Sequence, residues 1–274
     1  MGNEAGTKRA NGEPDLNAKP SWEDYATWFE AKFSEKLSTE KDRYETASLR
    51  IEDAVKTSAF WPKYLAERES IADRYYAETG YPLFAFREVE PPVKKSWNSF
   101  LNKSFRRNVV NNDSWPQEPS EGWCLTPRWF EQINDILRTT LVVKYLDGVE
   151  YLANELERIA KAEGVGFRFK LEARDEGYYA AHSYVDVDAS LPTGTWAFES
   201  KTVQFEIQIT TQLQEVIRRL THLDYEKRRE APPDPSTKWQ WDFRGAGFTP
   251  NYLGHILHYM EGMIMEVRDR GRAE

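Results

Sequence analysis

The spacing of apolar residues is helical in the first third of the chain. Ser21 and Asp24 form a capping-box pattern, and behind it aromatic residues recur at helical spacing, at Trp22, Tyr25, Phe29 and Phe33. This pattern predicts a helix that starts near residue 21 and helical structure that continues, with breaks, to about residue 78. Further helices are predicted over residues 93–108 and behind Asp147.

The middle of the chain alternates between apolar and polar residues, which is the spacing of β-strands. The clearest case is VQFEIQIT, residues 203–210, where the apolar side chains face one way and the polar ones the other. Further strands are predicted at DILRTTLVVKYL (135–146), GFRFKLEA (166–173) and AHSYVDVDA (181–189). Strands and helices in this order predict an α/β (α+β) fold, in which helices flank a mixed sheet of about five strands.

Four parts are expected along the chain. Residues 1–20 are predicted to be a disordered tail, 21–90 a helical region, 91–229 the central α/β region, and 230–274 a linker with a final amphipathic helix. Turn-forming residues from Asn111 to Trp123 predict an irregular insertion. The final helix has an apolar face that is predicted to be core, with a docking surface as the alternative; this face comprises Leu253, Ile256, Leu257, Met260, Met263 and Ile264.

Composition indicates a folded chain from a reducing compartment. Of 274 residues, 40% are hydrophobic and 10 are tryptophans, which is enough apolar mass for a sizeable core. The net charge of -8 argues against nonspecific nucleic-acid binding over the whole surface, but local basic patches remain open. Cys124 is the single cysteine, so no disulfide framework can form and a structural thiol is expected.

Targeting signals and membrane spans are not evident in the sequence. No apolar run approaches the roughly 20 residues that a membrane span needs. The first 20 residues lack the apolar centre of a signal peptide, and Gly6 stands where a myristoylation pattern requires Ser or Thr. The sequence therefore predicts a cytoplasmic protein without membrane association.

Acidic residues on predicted strands are candidate metal ligands. Glu206 and Gln208 share the polar face of the strand at residues 203–210, and Asp135 starts an earlier strand. Taken alone, such residues are typical of a solvated strand face and of a turn or cap. The alternative is a Mg²⁺ site, because magnesium needs oxygen ligands and often takes only one or two carboxylates besides phosphate oxygens.

A basic, serine-containing cluster opens the predicted helix at residues 93–108. Three of its members are spaced by four and so share one helix face. Lysines and hydroxyls near a helix start suit a polyphosphate, whereas the alternative is a solvated basic face. The cluster consists of Lys95, Ser96, Ser99 and Lys103, and Arg106 and Arg107 extend its positive charge.

A Gly-Tyr pair precedes the predicted strand at residues 181–189. Gly177 permits a tight turn, Tyr178 offers an exposed ring on which a base can stack, and Arg174 is placed to meet a phosphate. The alternative is that Tyr178 caps the core and His182 makes a structural hydrogen bond.

In this order the motifs resemble the synthetase domain of the RelA/SpoT family, pyrophosphokinases that make the alarmone (p)ppGpp. The resemblance covers about residues 92–227. GYYAAH (177–182) resembles the family's acceptor-binding turn, EIQ (206–208) its catalytic strand, and KSWNSFLNK (95–103) its ATP-binding spacing. The strand from Asp135 is similar to the family's metal-binding strand, and His222 and Lys227 fall where small synthetases carry a His and a Lys.

Three positions depart from the family pattern. Val93, Thr140 and Thr210 stand where the family usually has arginine, while Arg138 lies two residues before Thr140. The length resembles that of small alarmone synthetases, including toxin members. We expect no hydrolase domain of the kind that the long bifunctional members carry.

The resemblance implies a role for each motif residue. ATP would be the pyrophosphate donor, and the acceptor 3′-hydroxyl would attack its β-phosphorus with release of AMP. Glu206 would draw the proton from that hydroxyl, Gln208 would orient the group, and His182 is expected to orient rather than to act as a base. Asp135 and Glu206 would hold Mg²⁺. The implied ATP contacts are Lys95, Ser96, Ser99, Lys103, Arg106 and Arg138; the implied acceptor contacts are Lys170, Arg174, Gly177, Tyr178 and His182.

Three functions stay open at this point. The first is pyrophosphate transfer to a free purine nucleotide, giving a (p)ppGpp- or ppApp-type product. The second is a toxin-type enzyme that modifies the 3′ CCA end of tRNA, for which the basic runs SFRRN (104–108), IRR (217–219) and EKRRE (226–230) would form a groove. The third is an inactive nucleotide-binding regulatory module. A neutralising antitoxin or a second copy of the chain would dock on the final helix.

Overall fold

Helices make up most of the first part of the computed structural model, which describes residues 14–125, 129–193, 197–220 and 238–271. Helices α1 (Tyr25–Phe33), α2 (Leu37–Thr57) and α3 (Phe60–Thr79) occupy the region predicted to be helical. The capping pattern is present, since the Asp24 N–H donates to Ser21 Oγ at 3.1 Å. Of the predicted tail, residues 14–20 are described, and there Trp115 Nε1 donates to the Asn17 carbonyl at 2.7 Å; residues 1–13 lie outside the described part.

A mixed five-stranded sheet forms the centre of the fold, as predicted. Its spatial order is β1-β2-β5-β4-β3. The strands are β1 (Val93–Lys94), β2 (Leu137–Val143), β3 (Phe167–Ala173), β4 (Tyr179–Pro192) and β5 (Phe198–Thr211). Strands β3 and β4 pair antiparallel, with Lys170 opposite His182 and Glu172 opposite Ala180.

The remaining helices lie between β1 and β3 and after β5 in chain order. They are α4 (Trp97–Phe105), a π-helical turn (Arg106–Val110), α5 (Trp129–Gln132), α6 (Asp147–Ala162), α7 at residues 212–220, a 3₁₀ turn (Trp239–Trp241) and α8 (Phe248–Arg270). Residues 111–125 contain no regular element, as the predicted insertion requires. Among the described helices, none is both long enough and apolar enough to cross a membrane.

The chain divides into two compact units. The first takes its described residues from 1–54, 94–137 and 188–203, and the second takes them from 55–93, 138–187 and 204–274. The core of the first unit is aromatic, with Tyr25, Trp28, Phe29, Phe100 and Trp129 fully buried. The apolar side of β5 is buried as the alternation predicted, at Val203 in the first unit and at Phe205, Ile207 and Ile209 in the second.

Cys124 lies in the first core and is buried, as expected of a structural thiol. Burial raises the pKa of the Cys124 thiol to about 12, so it carries no thiolate at neutral pH. Its backbone N–H donates to Asn108 Oδ1 at 2.8 Å, and Asn108 Nδ2 in turn donates to Tyr25 Oη at 2.9 Å.

The prediction that the apolar face of the final helix belongs to the core was wrong. Five of the six predicted members are exposed, namely Leu253, Ile256, Met260, Met263 and Ile264. The buried residues of α8 are instead Asn251, Gly254, Glu261 and Arg268. The physical reason is that α8 packs through polar and small residues onto backbone and polar groups of the second unit, so its apolar side faces outward.

Candidate active site

One acidic residue joins two lysines in the first unit. Lys95 Nζ lies 2.6 Å from Asp135 Oδ2, and Lys103 Nζ lies 2.7 Å from Asp135 Oδ1. Each carboxylate oxygen therefore accepts a charge-assisted hydrogen bond. Burial alone would raise the pKa of Asp135, but the two ammonium groups hold that pKa well below its usual range. Asp135 is consequently ionised throughout the physiological range of pH.

Local structure explains how the two lysines reach one carboxylate. Lys95 precedes the helix, and its N–H donates to the Ile136 carbonyl at 2.8 Å. Ser96 is the N-cap of α4, with its side chain accepting from the Ser99 N–H, so the helix begins only at Trp97. The prediction that Lys95 shares a helix face with Ser99 and Lys103 was therefore wrong. Its contact with Asp135 arises from the extended segment at β1.

The other predicted ATP contacts belong partly to the first unit and partly to the second. Arg106 begins the π-helical turn after α4, in the first unit, and Arg138 lies on β2, in the second unit. Arg107 pairs with Glu121 at 3.2 Å. Ser96 Oγ donates to Ser99 Oγ at 2.9 Å, so both hydroxyls lie at the start of α4, beside Lys95.

A tight turn joins β3 to β4 in the second unit. We call residues Arg174–Tyr179 the GY turn. The Gly177 N–H donates to the Arg174 carbonyl at 2.9 Å, and the Arg174 N–H donates to the Tyr178 carbonyl at 3.0 Å. Gly177 has a φ of 77°, which is unfavourable for residues with a side chain. This is the conformational need that the sequence predicted for that glycine.

Four side chains, from the GY turn and from strands β4 and β5, form a continuous hydrogen-bonded chain in the second unit. His182 Nδ1 lies 2.7 Å from Glu206 Oε1, and His182 Nε2 lies 2.8 Å from Tyr178 Oη. Gln208 Nε2 donates to the other oxygen of Glu206 at 3.3 Å. A carboxylate only accepts, so in the neutral imidazole Nδ1–H donates to Glu206 and Nε2 accepts from the Tyr178 hydroxyl. His182 thus contacts both neighbours through its two ring nitrogens.

Tyr178 is less open than the sequence suggested. Its ring is half-buried, and the Arg174 guanidinium carbon lies 5.0 Å from the ring centroid, within range of a cation–π contact. Burial, together with the negative charge of Glu206, raises the pKa of Tyr178. The phenol is therefore neutral and can donate to His182. The two alternatives that the sequence left open for Tyr178 are therefore not exclusive, because its hydroxyl contacts His182 while part of its ring stays exposed.

Glu172 is a residue that sequence reasoning missed. It accepts from Arg174 Nε at 3.0 Å, and Lys170 Nζ lies 2.5 Å from its other oxygen. Burial opposes its ionisation, but hydrogen bonds from Lys170 and Arg174 lower the pKa of Glu172 to about 2. The predicted acceptor-binding cations are therefore paired with an anion in this structure. Glu172 belongs to the alternating polar positions of β3, and its cross-strand closeness to the GY turn was the signal available in the sequence.

Arginines of the basic runs proposed for a tRNA groove form ion pairs with acidic side chains in the part of the chain that the structure describes. Arg218 and Arg219 both pair with Glu215 at 2.6 Å, and Arg219 also pairs with Glu90 at 2.6 Å. The third run, together with His222 and Lys227, lies outside the described residues. Thr210, which stands at a usual arginine position, donates through Oγ1 to the Tyr179 carbonyl at 3.3 Å.

Comparison with solved structures returns small alarmone synthetases and a GTP pyrophosphokinase family protein. Small alarmone synthetase 2 from Bacillus subtilis is 18% identical, with 77% of this chain and 94% of that chain covered and a TM-score of 0.46. The GTP pyrophosphokinase family protein from Streptococcus pneumoniae is 17% identical, with 85% and 93% covered and a TM-score of 0.49. Small alarmone synthetase 1 from Bacillus subtilis, bound to its product pppGpp, is 16% identical, with 76% and 90% covered and a TM-score of 0.48.

No family model matches the sequence, and no curated protein matches it.

Proposed function

We propose that this chain is an ATP-dependent pyrophosphokinase that transfers the β,γ-diphosphate of ATP to the ribose 3′-hydroxyl of a purine nucleotide. The observation that carries the proposal is the hydrogen-bonded chain Tyr178–His182–Glu206. It joins the GY turn to the Glu-x-Gln strand, two motifs that are far apart in sequence. A solvated strand face or a purely structural histidine would not require a buried carboxylate linked to a half-buried tyrosine.

In the proposed reaction, the 3′-oxygen forms a bond to the β-phosphorus while the bond between that phosphorus and the α,β-bridging oxygen breaks. AMP leaves with the bridging oxygen, and the hydroxyl proton passes to Glu206. Glu206 accepts hydrogen bonds from His182 and Gln208, which suits an ionised carboxylate that receives a proton. Tyr178 stacks the acceptor base on the ring face opposite the Arg174 guanidinium.

Lys95 and Lys103 supply positive charge for the polyphosphate of ATP in this proposal. Both are held at Asp135 in the structure, so phosphate oxygens would replace carboxylate oxygens as their partners. Lys170 and Arg174 pair with Glu172 in the structure, and acceptor phosphates would replace that carboxylate as their partner. Paired cations of this kind are held in place before the substrate arrives.

Magnesium is the cofactor implied by this chemistry. Among the described residues, no three His, Cys, Asp or Glu side chains gather as a ready metal site. Asp135 is nevertheless an ionised oxygen donor, and Mg²⁺ is commonly held by one or two carboxylates together with substrate phosphates. Asp135 is therefore a proposed magnesium ligand. When bound, the ion would neutralise charge on the transferred phosphates.

The proposal is tested by offering γ-labelled ATP and Mg²⁺ with GDP, GTP, AMP or bulk tRNA in parallel. Label on a free purine nucleotide is expected. Label on tRNA alone would replace this function with the toxin-type alternative, and binding of ATP without transfer would leave a regulatory module.

Variants at Glu206 test the assignment of the proton acceptor. Glu206→Gln should abolish transfer, because an amide cannot take the hydroxyl proton. Glu199→Gln is the matched control, since Glu199 lies on the same strand, is exposed, and should leave the rate unchanged. Full activity in the Glu206→Gln variant would contradict the proposed role.

A further inference from the structure

The GY turn is held from behind by the final helix, within the second unit. Gly177 is buried against α8, and the position that a Cβ would occupy there points at the backbone of Asn251 and Gly254. A Cβ at either Gly177 or Gly254 would overlap the backbone of the other segment. Two glycines are therefore needed for this approach of turn and helix.

His255 fastens the turn on both of its sides. His255 Nε2 donates to the Asp175 carbonyl at 2.8 Å, at the tip of the turn. Its Nδ1 accepts from the Tyr179 hydroxyl at 2.8 Å, at the start of β4. Because a carbonyl only accepts, the Nε2–H tautomer is required, and one imidazole spans the residues that flank Tyr178.

Neighbouring contacts fix α8 at this position. The Tyr179 ring stacks on His258 with ring centroids 3.6 Å apart and planes 7° apart. Gln214 Nε2, on α7, donates to the Gly254 carbonyl at 3.1 Å. The side of α8 that carries Gly254, His255 and His258 thus packs against the GY turn and the start of β4. The apolar side of α8 therefore faces away from these contacts.

We propose that His255 is a positioning residue for the acceptor nucleotide, acting through the GY turn, and that α8 is a working part of the acceptor site. This inference rests on the proposed function, since it takes the GY turn to be the acceptor-binding element. His255 does not touch the substrate in this scheme. It positions the Tyr178 ring and the Arg174 guanidinium, and these two groups contact the acceptor nucleotide.

The test uses the full chain with His255→Phe, which keeps a ring of similar size but loses both hydrogen bonds. His255→Gln is the rescue variant, because its amide N–H can still donate to the Asp175 carbonyl. Ile256→Ala is the matched control on the exposed side of α8. Initial rates are measured with GDP as acceptor, and amide hydrogen exchange is followed in peptides covering residues 174–179.

For His255→Phe, the KM for GDP should rise about tenfold, as expected for two lost hydrogen bonds, while the KM for ATP stays within about twofold. Exchange should speed up in the turn but not in α1 or β2, and His255→Gln should lie between this variant and the parent. An unchanged GDP KM with unchanged exchange would overturn the inference, as would an equal fall in kcat with no change in KM. Faster exchange in the turn combined with no transfer by the parent protein would overturn the proposed function while supporting the attachment of the turn by His255.

Discussion

Asp135→Asn tests the lysine–carboxylate cluster of the first unit most sharply. The substitution keeps size and shape but leaves two ammonium groups facing a neutral amide. Removing one partner of a buried ion pair costs about 3–5 kcal/mol. The Lys95 side chain is 11% exposed, but that of Lys103 is 31% exposed and can regain water. We therefore expect the free energy of unfolding to fall by about 2–3 kcal/mol at pH 7.

The pH dependence of this loss has a definite sign. The folded-state pKa of Asp135 is depressed, so its stabilising contribution is present above the unfolded-state pKa, about 3.9, and is lost as pH falls through the folded value. The gap between Asp135→Asn and the parent should thus stay constant from about pH 8 to pH 5 and shrink only below about pH 4. Urea unfolding followed by tryptophan fluorescence measures both quantities.

Two further variants make this test specific. Adding Lys103→Met to Asp135→Asn should recover part of the lost stability, because one of the two repelling ammonium groups is gone. Asp113→Asn is the control, since Asp113 is exposed, and it should change stability by less than about 0.5 kcal/mol. Equal stability of Asp135→Asn and Asp113→Asn would refute the reasoning.

Three other predictions concern the second unit. Tyr178→Ala should raise the acceptor KM about tenfold or more through lost stacking, whereas Tyr178→Phe should keep most of the affinity; equal KM values for all three proteins in steady-state assays would count against stacking. Burial raises the pKa of Glu261 from 4.5 to about 7, so the folded state favours the neutral acid and loses stability as pH rises from the lower to the higher of these values. Urea unfolding should therefore show Glu261→Gln matching the parent near pH 4 and exceeding it by about 2–3 kcal/mol at pH 8, and no difference at pH 8 would contradict this. Arg268→Met should lower stability by about 2–3 kcal/mol, because buried Arg268 donates to Asp147 at 2.7 Å and to Tyr75 Oη at 3.2 Å; urea unfolding that showed no loss would contradict the contact.

The sequence was most informative where side-chain alternation decides the outcome. The alternation of residues 203–210 predicted both the buried side of β5 and the shared face of Glu206 and Gln208. The turn chemistry of Gly177 was also readable, because few other residues adopt its φ of 77°. Such features depend on a few neighbouring residues and on the fixed period of a strand.

Contacts between distant segments could not be predicted in this way. The periodicity of α8 defines an apolar face but not the direction in which that face points, so Met260 and Met263 were assigned to a core that they do not join. The link of His255 to the GY turn joins residues far apart in sequence, and only the fold brings them together.

The most direct test of the proposed function is the stoichiometry of AMP release with a 3′-deoxy acceptor as the control. The purified chain is incubated with ATP, Mg²⁺ and GDP, and AMP and modified nucleotide are quantified by mass spectrometry. Pyrophosphate transfer to the 3′-hydroxyl predicts one AMP for each GDP converted and no acceptor-dependent AMP with 3′-deoxy-GDP. Equal AMP release with both acceptors, or ADP as the product of ATP, would contradict it.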